Sequence, residues 1–203
     1  MNRAQGAKKR NKAKGLVFVI AGPSGSGKTT LAQEVLRSSR LKARLNKSIS
    51  FTTRPKRSRE RQGKDYLFIT PRQFRQYNKE KKIIEYTRYL GYYYGTPRQC
   101  VEKKLLQGKH LLMCLDLRGV RALKRLFPQN TVTIFVRPPS LEALSARIEK
   151  RCCHTEKSEI KKRLGLAKEE LKASQGLDYC ILNKDLSRAV GELRKIILKH
   201  IIA

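Results

Sequence analysis

From Leu16 onward the chain alternates short apolar runs with stretches of helical periodicity. Apolar, β-rich runs occupy Leu16–Ala21, Leu111–Leu117, Thr131–Val136 and Asp178–Leu182. Between them, helical spacing marks segments near Thr29–Ser38, Pro97–Gln107, Gly119–Phe127, Ser140–Lys150, Lys157–Ser174 and Asp185–His200. Strands alternating with helices predict an α/β fold: a parallel sheet flanked by helices on both faces. No internal repeat is visible. From Ser48 to Tyr94 the texture changes to polar, arginine-rich and tyrosine-rich sequence with short strands, which reads as an insertion lobe over the strand ends. Met1 to Lys14 is polar and basic without apolar periodicity and is expected to be a disordered tail. No apolar run approaches the ~20 residues a membrane-spanning helix needs.

Composition narrows the picture. A chain of 203 residues is expected to form one compact domain with sub-lobes. Five cysteines, an odd number without metal-ligand spacing, point to reduced thiols and a cytoplasmic compartment. The 47 basic residues against 16 acidic ones give a net charge of +31, more than any single anion site needs. A charge of that size favours weak, nonspecific association with polyanions such as RNA, although no aromatic-interleaved basic motif marks a nucleic-acid module.

The most specific chemistry lies directly after the first strand. Gly22-Pro23-Ser24-Gly25-Ser26-Gly27-Lys28-Thr29 fits the phosphate-binding pattern G-x-x-x-x-G-K-[ST], with a buried strand before it and a helix from Thr30 after it. Glycines let the backbone curl until its N–H groups face phosphate oxygens, and the helix N-terminus adds its dipole. Lys28 can then reach the β- and γ-phosphates, and the Thr29 hydroxyl can ligate Mg²⁺. A nucleoside triphosphate is the expected ligand.

A second signature lies in the lobe: Ser50-Phe51-Thr52-Thr53-Arg54-Pro55-Lys56-Arg57, then Glu60, then Gly63-Lys64-Asp65-Tyr66, then Glu85 and Tyr93-Tyr94-Gly95-Thr96. With the phosphate loop, these motifs resemble the guanylate kinase family, and the resemblance spans nearly the whole chain from Leu16. It implies a P-loop NTPase-type core at residues 16–47 and 97–203, a GMP-binding lobe at about 48–96 and a helical lid at about 147–163. It also implies transfer of the ATP γ-phosphate to GMP with Mg²⁺. By the same resemblance, Arg54, Arg57, Tyr66 and Tyr94 hold the acceptor phosphate, which suits guanidinium forks and phenol hydroxyls. Glu85 and Asp116 match carboxylates that accept from guanine N1–H and N2–H, and Ser50 and Thr96 match hydroxyls able to donate to O6. Glu60 orients Arg57 or contacts the ribose or a lobe partner. Lid arginines correspond to Arg147, Arg151 and Arg163, and Asn183 matches an asparagine near the adenine.

The chain departs from the family pattern at several positions. Cys114 stands where a carboxylate is usual near the metal, and sulfur is a poor partner for Mg²⁺. Cys152 replaces a glycine after the lid arginine, Lys184 replaces an aspartate, and Arg118 and Arg137 are further changes. One alternative is a non-catalytic guanylate-kinase-like module that binds phosphorylated partners; another is a kinase of phosphorylated sugars. The intact loop speaks against the first and the guanine-side residues against the second. The substrates expected are ATP and GMP, with a monomer or homodimer as the assembly.

Overall fold

A computed structural model of the chain describes residues 15–58, 60–89, 91–151 and 157–202. The basic tail expected at Met1 to Lys14 and residues 152–156 of the expected lid lie outside the described residues.

Strand β1 (Val17–Ala21) is fully buried along its length, as a central strand covered on both faces must be. It leads into α1 (Lys28–Arg37), after which a short α2 (Ser39–Lys42) and β2 (Leu45–Lys47) complete the first core segment. The lobe then supplies β3 (Phe51–Thr52), β4 (Leu67–Phe68), α3 (Pro71–Lys79), β5 (Ile83–Tyr89) and β6 (Tyr92–Pro97). The core resumes with α4 (Arg98–Leu106), β7 (His110–Cys114), α5 (Leu117–Leu126), β8 (Thr131–Arg137), α6 (Leu141–Arg151), α7 (Lys157–Lys172), β9 (Tyr179–Leu182) and α8 (Leu186–Ile202).

The core sheet has the order β2-β7-β1-β8-β9, and every pairing in it is parallel. The pleat sends alternate β1 residues to opposite faces. Phe18 and Ile20 join Leu31, Val35, Leu193 and Ile197 of α1 and α8. Val17, Val19 and Ala21 join Val101, Leu105 and Leu123 of α4 and α5. A smaller cluster of Leu144, Ile148 and Ala167 ties α6 to α7. Each large apolar side chain so buried contributes roughly 1.5–3 kcal/mol.

The second sheet, β4-β3-β6-β5, is mixed, with β3 and β4 parallel and the other two pairs antiparallel. Its helix α3 is a structural element the apolar pattern did not reveal. Its start is coded by polar chemistry instead. Thr70 Oγ accepts from Gln73 N–H, Gln73 returns a bond to Thr70 N–H, and Pro71 occupies the first turn. Its one buried residue, Phe74, stacks on Tyr93 with centroids 5.1 Å apart. Strand β2 and helix α2 were likewise too short to announce themselves in the sequence.

One boundary falls earlier than the sequence predicts. The second apolar run leaves the sheet at Cys114, not Leu117, because Asp116 starts α5: its Oδ1 accepts from Gly119 N–H at 2.8 Å. This moves Asp116 from a strand interior to the strand's carboxyl edge, where the cleft lies.

Asp178 fastens the β8–β9 edge. Its carboxylate accepts from Thr133 N–H and Thr133 Oγ–H at 2.8 Å each, and from Lys124 Nζ. Burial alone pushes this carboxyl up, but the Thr133 and Lys124 donors outweigh it and hold the group below its ordinary range. Asp178→Asn is expected to cost about 2 kcal/mol in urea denaturation at neutral pH. Because the folded pKa is depressed, this advantage is present above the ordinary carboxylate range and lost as pH falls through the folded value.

Candidate active site

The phosphate loop takes its shape from backbone that only glycine tolerates well. Gly22 sits at φ 140° and Gly27 at φ 95°. A Cβ on Gly22 would lie 2.4 Å from Val136 O, and one on Gly27 would lie 2.3 Å from Asn183 Nδ2. Gly27 caps α1, so the first amides of that helix open into the loop's concavity. Ser24 and Thr29 are exposed, Gly25 and Thr30 half-exposed, and Pro23 and Ser26 buried. Ser26 Oγ is sealed without a hydrogen-bond partner. Lys28 Nζ folds back onto the loop, donating to Gly22 O and to Pro23 O.

Asn183 holds this loop from below. Its Nδ2 donates to Ser26 O at 2.7 Å, its backbone N–H to Arg137 O at 2.8 Å, and its carbonyl accepts from Arg147 at 3.0 Å. The residue is only 5% exposed. Its amide nitrogen is thus committed to the loop backbone, which sequence reasoning, looking for an adenine contact, did not foresee. Arg147 on α6 reaches the same junction. Arg163 lies half-buried on α7; Arg151 ends α6, and its side chain lies outside the described residues.

Across the cleft, the lobe gathers Arg54, Glu60, Tyr66 and Tyr94. Arg54 donates to Glu60 Oε1 at 2.7 Å and lies 5.6 Å from the centre of the Tyr66 ring. The Tyr66 and Tyr94 rings meet edge-on at 6.0 Å. Glu60 is held below the ordinary carboxylate range, first by the Arg54 bond and then by Arg57 N–H. Within the protein, Arg54 takes one Glu60 carboxylate oxygen, and the backbone N–H of Arg57 takes the other at 2.9 Å. The Arg57 side chain itself is exposed at the rim. Burial pushes the Tyr66 phenol up, with the neighbouring Tyr94 adding to it.

Deeper in the cleft, β5 and β6 bring Glu85 against Thr96, whose hydroxyl donates to Glu85 Oε1. Burial, opposed by the Thr96 donor and helped by Asp116, pushes the Glu85 carboxyl up to about 7. Glu85 reaches across to the core: a Cβ on Gly119, at the start of α5, would sit 3.2 Å from its Oε2. Asp116 shares that helix start. Ser50 is half-buried just before β3, and its carbonyl accepts from Leu67 N–H.

Cys114 closes the floor. It is open to solvent from the cleft, yet protein mass around it desolvates the thiol and pushes it up to about 11, against the pull of Lys28 and Lys47. One acidic residue escaped the sequence reading. Glu170 of α7 looks like any surface glutamate of a charged helix, yet its Oε2 is buried and unpartnered.

Among the described residues, no group of three or more His, Cys, Asp or Glu could hold a metal ion. A protein-only cage is therefore absent from them. The exposed Thr29 hydroxyl, in the first turn of α1, fits a cation that keeps waters and phosphate oxygens as its other ligands, as Mg²⁺ does.

A curled glycine loop between a central parallel strand and a helix, facing a second sheet lined with arginine, tyrosine and carboxylate, defines a P-loop nucleotide-binding α/β protein. The guanylate kinase family model matches residues 14–200. A guanylate kinase from Synechocystis is 41% identical over 184 residues, covering 91% of this chain and 94% of the relative. One from Symbiobacterium thermophilum is 41% identical over 188 residues, with 93% and 87% covered. The crystal structure of guanylate kinase from Anaplasma phagocytophilum superposes with a TM-score of 0.74 at 28% identity, covering 95% of this chain and 89% of that one. The chain belongs to the guanylate kinase family.

The Thr96 hydroxyl stabilises the ionised form of Glu85, so Thr96→Val is expected to drive the Glu85 titration above about 7. Carboxyl ¹³C NMR across pH 5–9 reads that midpoint directly; an unmoved midpoint contradicts the pairing.

Proposed function

We propose that this chain transfers the γ-phosphoryl group of ATP to GMP, giving ADP and GDP, with Mg²⁺ bound to the donor. One observation carries the reading. The same cleft holds a complete phosphate cradle on the core and, on the lobe, a carboxylate backed by a hydroxyl, Glu85 and Thr96. Guanine offers N1–H and N2–H donors side by side, which an ionised carboxylate accepts together; adenine does not. A buried polar site left unpaired by the wrong base can discriminate by about 10⁴.

In the transfer, a GMP phosphate oxygen attacks the γ-phosphorus in line as the bond to the β–γ bridging oxygen breaks and ADP departs. No covalent enzyme intermediate is needed, and alignment with charge neutralisation does the catalysis. The loop amides and Lys28 hold the donor phosphates, Lys28 leaving the carbonyls of Gly22 and Pro23 to do so. The Thr29 hydroxyl would hold Mg²⁺, which would supply charge neutralisation at the donor phosphates. Arg54, steadied by Glu60, places the acceptor phosphate with Tyr66 and Tyr94, and Arg57 joins from the rim as the lobe closes. Glu85 and Asp116 accept from guanine, and Ser50 donates to O6. Arg147, Arg151 and Arg163 close over the transferring group and exclude water. Asn183 carries the loop, and through it the adenosine side of the site.

Coupled ADP release with ATP and Mg²⁺, offering GMP, AMP, CMP and UMP separately, tests the reading. Turnover with GMP alone is expected; GMP binding without turnover contradicts the enzyme. Lys28→Ala is expected to lower the rate at least about 10³-fold while GMP still binds. Cys114→Asp, which restores a carboxylate beside Lys28, is expected to raise turnover severalfold in the same assay.

We also propose, from the net charge of +31, a weak association with RNA in the cytoplasm. Retention on an RNA column is expected to fall steeply with salt, and salt-independent binding contradicts this electrostatic origin.

A further inference from the structure

In a chain with 47 basic and 16 acidic residues, three carboxylates converge on the cleft: Glu85, Asp116 and Glu170. The first two face the lobe and have a role there. Glu170 has none so far, and its setting is unusual. Helix α7 turns one face inward, along Arg163, Ala167 and Glu170, spaced as neighbours on a helix surface. Ala167 is 2% exposed and packs with Leu144 and Ile148 of α6. Those two side chains press on the phosphate loop, since a Cβ on Gly25 would meet each at 3.1 Å. Glu170 thus stands one turn beyond a contact that abuts the loop. Its Oε2 is sealed from solvent and has no hydrogen-bond partner, a costly state for a carboxylate. Burial pushes this carboxyl up and Asp116 adds to that, while Lys28 pulls it back toward the ionised form.

Lys28 also acts on Cys114 at the end of β7, which offers only a neutral thiol. A negative charge near a triphosphate repels the free nucleotide and favours the nucleotide that carries a divalent cation. We infer that Glu170 makes the phosphate site selective for Mg²⁺-bound over free nucleotide, its charge standing in for the one that Cys114 cannot supply. Glu170 acts through the field at Lys28 and the donor phosphates, so it is a specificity-determining residue and not a catalytic one. The inference rests on the reading of the loop as an ATP site.

Calorimetric titration of ATP, once with excess Mg²⁺ and once with EDTA, tests it without recourse to turnover. The readout is the ratio of the two dissociation constants. In Glu170→Gln, free ATP is expected to bind about fivefold more tightly and the ratio to fall by at least that factor. Glu170→Asp, which keeps the charge, is expected to hold most of the wild-type ratio. Adding Cys114→Asp to Glu170→Gln is expected to restore it, which a purely structural role for Glu170 would not do. If Glu170→Gln fails to fold, Glu170→Met, uncharged and of similar length, supplies the same comparison. A ratio unmoved by these changes, or the same loss in Glu170→Asp as in Glu170→Gln, overturns the inference. Wild-type protein that binds no ATP under either condition instead overturns the reading of the loop itself.

Discussion

The buried amide of Asn183 is the constraint on which the site depends. A glycine loop is a poor scaffold by itself, since its backbone conformations are expensive to hold and few side chains pack against it. Here the loop hangs between the end of β1 and the start of α1, and an amide from outside it hydrogen-bonds its backbone. Asn183 donates into the Ser26 carbonyl, takes the Arg137 carbonyl through its own N–H and receives Arg147 on its carbonyl. Three elements of the core, β8, β9 and α6, therefore set the height of the phosphate cradle together. The left-handed glycine at 27 leaves room for that amide, and an alanine there would strike it.

The rest of the site is a division of charge. The core side is cationic and backbone-rich, suited to a triphosphate. The lobe places one guanidinium, Arg54, on a carboxylate partner, so that its planar fork is oriented before any phosphate arrives. Below it, Glu85 is kept half-protonated near neutrality by burial and by Asp116. That state is unfavourable for the isolated fold at higher pH: a carboxyl whose folded pKa is raised stabilises the fold below its unfolded value, and the benefit is lost as pH rises through about 7. The guanine-reading function proposed for this carboxylate requires the ionised form. Stability and recognition therefore pull on it in opposite directions.

Much of this was legible in the sequence. The parallel sheet with helices on both faces follows from apolar runs alternating with helical periodicity, and the phosphate loop from eight consecutive residues. What stayed hidden has physical reasons. Helix α3 is polar on most of its surface, and its start is written in the Thr70–Gln73 capping box, not in hydrophobic spacing. Asp116 reads as part of an apolar run until its cap on Gly119 is seen. Asn183 follows a strand like many exposed amides, and only the fold brings it beneath the loop. Glu170 lies in a helix whose sequence is charged on several faces, so its buried oxygen shows only once α7 is docked on α6.

The central claim, that an ionised Glu85 reads guanine, is tested most directly by calorimetric titration of GMP at pH 7 in buffers of different ionisation enthalpy. A carboxyl with a pKa of about 7 is half-protonated there, so guanine binding must expel about half a proton from it. Wild-type protein is predicted to release about half a proton more than Glu85→Gln. Equal proton release by the two proteins would contradict the account.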